Sequence, residues 1–181
     1  MNESIKKAVS IVILLWVVFL IDTLLGLHLT RFGIVPRSIQ GLLGIFTAPF
    51  LHGGFFHLLS NSVPIFVLST ATFYFYKKEA PGVFLKSIIL GGGLVWLFAR
   101  SANHIGISGL IYSLALFLIV TGFIKKDIKS IIVSAGILFM YGGLIWGVFP
   151  GRVSVSWEGH LFGAIAGGII AYTTFKNNKT L

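Results

Sequence analysis

Cysteine is absent from all 181 residues of the chain. That excludes disulfide staples, thiolate metal sites and a cysteine nucleophile. Charge is scarce as well: 10% of the residues are Asp, Glu, Lys or Arg, where soluble domains carry about a quarter. Acidic residues number only five against fourteen basic ones. No internal repeat is evident, and no stretch between the apolar runs is long enough for a soluble domain. What the chain has instead is 56% hydrophobic residues and a mean hydropathy of +0.95. This is the composition of a membrane protein, not of a soluble one.

Six apolar runs suffice to cross ~30 Å of hydrocarbon as helices of about 20 residues. They lie near 9–27, 56–76, 82–99, 107–124, 129–148 and 158–175. Punctuation agrees: Lys77-Lys78-Glu79 and Pro81-Gly82 follow the second, Lys125-Lys126-Asp127 the fourth, and Pro150-Gly151 the fifth. The first run follows Lys6 and Lys7 as a signal peptide would. No small-x-small cleavage site closes it and further runs follow, so it reads as a retained span. Residues 1–181 therefore read as one all-α membrane domain, a six-helix bundle.

The net charge of +9 does not point to nucleic acid, because the basic residues are dispersed over short loops. In a membrane protein such residues report orientation. With the N-terminus inside, the inner segments hold Lys6, Lys7, Lys77, Lys78, Lys86, Lys125, Lys126, Lys129, Lys176 and Lys179. The outer segments hold Arg31, Arg37, Arg100 and Arg152. Ten against four places both termini in the cytoplasm of a multi-pass cell-membrane protein. The connection between the first two spans, residues 28–55, is too long for a structureless loop. Its apolar "GLLGIFTAPF", Gly41 to Phe50, is too short to span and is expected to lie in the outer interface.

Polar residues converge at the outer face. In this topology spans two, four and six all begin there, and their first turns carry His57 and Asn61, Ser108, and His160. Each piece has an unremarkable reading. His57 and Asn61, four apart, share a helix face, and their plain reading is a mutual hydrogen bond at a helix entrance. Ser108 between Gly106 and Gly109 reads as a serine back-bonded to its own helix. The glycines of span six are more often a packing ridge than anything catalytic.

Together they say more. Gly163 and Gly167 fall on the same face as His160, so span six can approach span four closely where Gly106, Gly109, Ser113 and Ala115 are small. That approach brings His160 within the ~2.6–3.2 Å of Ser108 that a base and its nucleophile require. Tyr112, one turn below Ser108, is placed to hold the imidazole by stacking. The His57 ring, the Asn61 amide and the Ser108 backbone N–H are then available donors for an oxyanion, the last at a helix N-terminus. No acidic residue is placed to complete a triad: Glu158 points elsewhere and Asp22 belongs to span one. A Ser–His dyad is the economical reading. Pro64, inside span two, is expected to loosen that helix.

These residues resemble the rhomboid family of intramembrane serine proteases in its minimal six-helix bacterial form. The carriers are "HGGFFHLLSN", "GISGLIY" and "GHLFGAIAG", in the family's order and spacing. The resemblance implies that Ser108 is the nucleophile, His160 the general base, His57 and Asn61 the oxyanion ligands, and Tyr112 the ring packed on His160. It also implies an interfacial hairpin in the first loop. Span five, Ile131 to Val148, with the loop Pro150–Trp157, looks like the family's mobile gate and cap. Two departures stand out. The Trp-Arg pair common in the family's first loop is replaced by Leu43-Gly44, and the alanine before the catalytic histidine by Gly159.

The expected activity is hydrolysis of peptide bonds in or next to transmembrane segments of other proteins, without cofactor or metal. The partners are transmembrane substrates and the lipid bilayer. One alternative is a catalytically inactive rhomboid-like binder of membrane proteins, which the retained dyad argues against. Another is a small transporter, which would place ionisable residues near mid-membrane. A metal site of His52, His57, His104 and His160 lacks both alignment and a carboxylate.

Overall fold

Backbone groups in hydrocarbon must find partners within their own segment, and each long apolar run is accordingly helical. The computed structural model describes residues 2–150 and 155–176. The helices are α1 (Glu3–Leu25), α2 (Ile39–Thr47), α3 (Phe55–Phe75), α4 (Ala80–Phe98), α5 (Ser108–Lys125), α6 (Ile128–Tyr141) and α7 (Trp157–Phe175). Arg152 and Lys179, two of the residues in the charge count, and Gly151–Ser154 of the expected cap loop lie outside the described residues.

Their ends are set by local chemistry. Asn2 accepts from Ser4 N–H to cap α1, and Gly26 ends that helix in the left-handed conformation. Asp127 caps α6 by accepting from Ser130 N–H at 2.9 Å and Ser130 Oγ at 2.8 Å. Those bonds hold its carboxyl below the usual range.

The bundle is organised around α5. It buries Ile111, Leu114, Phe117 and Leu118 against α3, α4, α6 and α7. The closest approach is to α7, where a Cβ on Gly163 would collide with the Gly109 carbonyl and one on Gly167 with that of Ser113. Stripped of side chains, α7 lies directly on the α5 backbone. Hydrogen bonds between helices add to packing where no hydrophobic force distinguishes lipid from protein: Ser113 Oγ to Ser87 Oγ at 2.7 Å, Trp16 Nε1 to Ser62 Oγ at 3.1 Å, and Tyr76 Oη to Ser130 Oγ at 3.2 Å. Large apolar side chains point outward instead, Leu24, Phe98, Phe139 and Trp146 among them. A soluble protein would not expose so many.

Among the described residues five segments have both the length and the hydropathy of a span. The sixth, α7, is 19 residues long, but Glu158, His160 and its glycines dilute its hydropathy. α3 runs through Pro64 as one helix. The expected fifth span differs from a simple helix. It is α-helical only to Tyr141 and continues as a 3-10 segment, Gly142–Val148, tightening where two glycines remove side-chain support.

The first loop contains α2, capped by Ser38, with Ile39, Leu43 and Phe46 exposed on its outer side. Its anchors replace the missing Trp-Arg pair. Arg37 donates to the carbonyls of Leu97 and Ala99 at 3.2 and 2.8 Å. Trp96 Nε1 donates to the Ser38 carbonyl at 2.8 Å. Ile34 and His104 exchange two backbone bonds of 2.9 Å, an isolated antiparallel bridge. A tryptophan and an arginine still clamp the loop, but from different positions in the chain.

Candidate active site

Ser108 is the first residue of α5, and the first amides of a helix have no intrahelical acceptor. Gly106 precedes it with φ +108°, a backbone conformation that glycine adopts freely. A Cβ there would lie 2.8 Å from His57 Nε2. The glycine thus lets the chain turn into α5 while the His57 ring lies against it.

His160, in the first turn of α7, meets Ser108 from the other side. Its Nε2 is 2.9 Å from Ser108 Oγ. Its Nδ1 is 2.9 Å from the Gly147 carbonyl. A carbonyl only accepts, so Nδ1 carries the proton and Nε2 presents its lone pair to the serine hydroxyl. Tyr112 stacks on the ring with centroids 4.3 Å apart and planes 5° from parallel. Two ring edges and one face of the imidazole are therefore held.

Asn61 is 8% exposed, and its amide nitrogen has no partner among the described residues. An unsatisfied buried donor costs ~1–3 kcal/mol, which is tolerable where a ligand supplies the missing acceptor. Asn61 lies one turn along α3 from His57, and both flank Gly106. His52, in the turn before α3, packs edge-on against His57 with centroids 5.0 Å apart. It is 4% exposed, and burial, followed by the neighbouring His57, pushes its pKa down to about 4. The Phe50 carbonyl softens that shift but makes no hydrogen bond of normal geometry to either ring nitrogen.

A second set of contacts aligns the two helices that carry Ser108 and His160. His104 Nε2 is 3.0 Å from the Arg100 carbonyl, and its Nδ1 is 2.7 Å from Ser156 Oγ. Ser156 Oγ in turn accepts from Gly159 N–H at 3.1 Å, capping α7. Arg100 donates to the Val155 carbonyl at 3.0 Å and pairs with Glu158 at 3.5 Å. The loop leading into α5 is thereby latched to the start of α7. A Cβ on Gly159 would come 2.8 Å from Ser156 Oγ, which accounts for glycine where the family commonly has alanine. Behind Ser108 lies a cavity of about 50 Å³ lined in part by His104, Gly106, Ser156 and Gly159, room for a water molecule.

The structure brings Ser108, His160 and Tyr112 together, and sets His57 and Asn61 beside Gly106. Gly109, Gly163 and Gly167 lie in the α5–α7 contact. Glu158 turns to Arg100, and Asp22 accepts from Leu29 N–H at 2.9 Å. Among the described residues no three His, Asp or Glu side chains converge as metal ligands do. Sequence reasoning missed Gly147 and the His104–Ser156 latch, and gave His52 no role beyond the rejected metal site. For Gly147 the only available sign was a glycine in an apolar run, since a carbonyl acceptor has no side-chain signature.

A sequence model of the Rhomboid domain matches residues 40–177. Proteins of Mycobacterium bovis and Mycobacterium tuberculosis, each named only as uncharacterized, are 37% identical over 172 residues, covering 90% of this chain and 72% of the relative. One from Mycobacterium leprae, named likewise, is 38% identical over 169 residues, covering 88% of this chain and 66% of the relative.

Proposed function

The chain belongs to the rhomboid family, and on that premise we propose that it is an intramembrane serine endopeptidase acting on other proteins' transmembrane segments. The observation that carries this reading is the 2.9 Å contact between Ser108 Oγ and His160 Nε2, with Nδ1 held by the Gly147 carbonyl.

In this mechanism His160 Nε2 takes the Ser108 proton as Oγ attacks the scissile carbonyl carbon. The imidazolium that forms is stabilised at Nδ1–H by the Gly147 carbonyl, in place of a third carboxylate. Negative charge on the former carbonyl oxygen is met by Ser108 N–H, His57 and Asn61, donors worth ~2.7–4 kcal/mol each where preorganised. His160 then protonates the leaving amine as the C–N bond breaks. Water, activated by the same imidazole, hydrolyses the acyl-enzyme and restores Ser108.

The substrate helix must unwind near the site, because a helical carbonyl is already hydrogen-bonded. Small or helix-breaking residues close to its outer end favour that. The lysine distribution puts the reacting groups toward the outer face of the cell membrane, within reach of water. No cofactor or metal is required.

The test is cleavage in proteoliposomes of reporter proteins whose single transmembrane helix carries such residues near its outer end. The reading expects cleavage by the wild type and none by Ser108→Ala. Equal cleavage by both, or none by a folded wild type across the panel, contradicts it.

A further inference from the structure

Lys86 occupies the second turn of α4 and is exposed on the perimeter of the bundle. Six residues from the helix start correspond to ~9 Å along the axis, so its stem begins inside the hydrocarbon. Neither ion pair among the described residues involves it. A lysine at such a depth snorkels toward the headgroups, where an anionic group is its favoured partner.

The surface beside it is shaped. A groove of about 370 Å³ runs between α4 and α7, lined by Lys86, Leu90, Gly93, Leu97, Ile169 and Thr173 among others. From Lys86 to Leu97 is ~16 Å along the helix, the depth of one leaflet of a ~30 Å hydrocarbon core. Gly93 is the telling residue. Its neighbours Gly91 and Gly92 face protein, with Gly163 and Ile45 close to where their side chains would be, but a Cβ on Gly93 would meet nothing within 4 Å. Nothing in the protein requires glycine there, although glycine costs a helix about 1 kcal/mol relative to alanine. Its effect is to keep the groove open.

We infer that this groove is a binding site for one anionic phospholipid, with an acyl chain lying along Gly93 and the phosphate on Lys86. Lys176, just past the end of α7, adds positive charge near that end of the groove, with its ammonium over the Tyr172 ring. It also contacts the Tyr172 hydroxyl. No acidic side chain lines the groove, so nothing there meets the cation of a zwitterionic headgroup. By the lysine distribution this end faces the inner leaflet.

The test is native mass spectrometry of the detergent-purified chain with phosphatidylglycerol or phosphatidylcholine of identical acyl chains. Wild type is expected to retain one phosphatidylglycerol in preference to phosphatidylcholine. Lys86→Gln weakens that retention about fivefold, the weight of one lysine at a charged surface. Lys78→Gln, which removes an exposed charge outside the groove, leaves it unchanged. Gly93→Leu fills the groove and abolishes retention without lowering the lipid-free thermal midpoint, since its side chain meets open space. Equal retention of the two lipids, or wild-type retention by Lys86→Gln or Gly93→Leu, overturns the proposal. So does a loss with Lys78→Gln as large as with Lys86→Gln, which marks unspecific attraction. The readout is lipid binding and does not depend on proteolysis.

Discussion

The ring of Tyr112 lies flat on the imidazole of His160, and Gly147 closes against both. A Cβ on Gly147 would run into the Tyr112 hydroxyl and lie 3.2 Å from His160 Nδ1. The 3-10 segment that carries Gly147 therefore approaches the site with its backbone, and its carbonyl supplies the hydrogen bond that orients the His160 ring.

Gly147→Ala is accordingly expected to displace that carbonyl and slow the reaction of Ser108 by about 100-fold, the cost of misplacing a catalytic group by ~1 Å. Gly143→Ala, in the same segment but with nothing within 4 Å of its Cβ, leaves the rate unchanged. Serine-directed labelling rates compare the two. Equal rates would remove the role of the Gly147 carbonyl.

The contact between α5 and α7 is just as demanding. Gly163→Ala drives a methyl group onto the Gly109 carbonyl, and overpacking of this kind costs ~1–3 kcal/mol. Thermal midpoint and reactivity fall together, because the same contact sets the distance from Ser108 to His160. Gly168→Ala, with no atom within 4 Å of its Cβ, is neutral or slightly stabilising by helix propensity. Thermal unfolding in detergent separates the two.

The latch from His104 to Ser156 predicts a rescue experiment. Ser156→Ala removes the cap of α7, at a cost of ~1 kcal/mol, and breaks the bond to His104 Nδ1. The turnover of a transmembrane reporter falls while its KM changes little, and Ser156→Thr, which keeps the hydroxyl, restores turnover. A change confined to KM would contradict positioning of the base.

His52 makes stability depend on pH in a defined direction. Its folded pKa of about 4 lies below the ordinary 6.5, so the unfolded chain takes up the proton first as pH falls. The contribution is complete above pH 6.5 and is lost progressively toward pH 4. At about 1.4 kcal/mol per pH unit this interval is worth roughly 3 kcal/mol. The thermal midpoint of wild type is expected to drop between pH 7 and pH 4.5 by more than that of His52→Leu. Parallel curves would contradict the assignment.

Much of this was legible in the chain because lipid leaves few options. Apolar run length gave the helices, and Gly163 and Gly167, at helical spacing from His160, gave the α5–α7 face. What escaped depended on backbone atoms or on distant partners. The break of the expected fifth span at Gly142 and the carbonyl of Gly147 carry no side-chain signature. Arg37 reaches carbonyls 60 and 62 residues away, a pairing that periodicity does not encode. In the sequence His104 reads only as a rejected metal ligand, since its partner Ser156 becomes a neighbour only once α5 and α7 are packed.

The central claim is that His160 activates Ser108. Incubating the purified protein in detergent with a fluorophosphonate probe, beside Ser108→Ala and His160→Ala, tests it without knowledge of any substrate. The account predicts one covalent adduct, mapped to Ser108 and absent from both variants. A folded wild type that takes no label, or a His160→Ala variant labelled as fast as wild type, would contradict it.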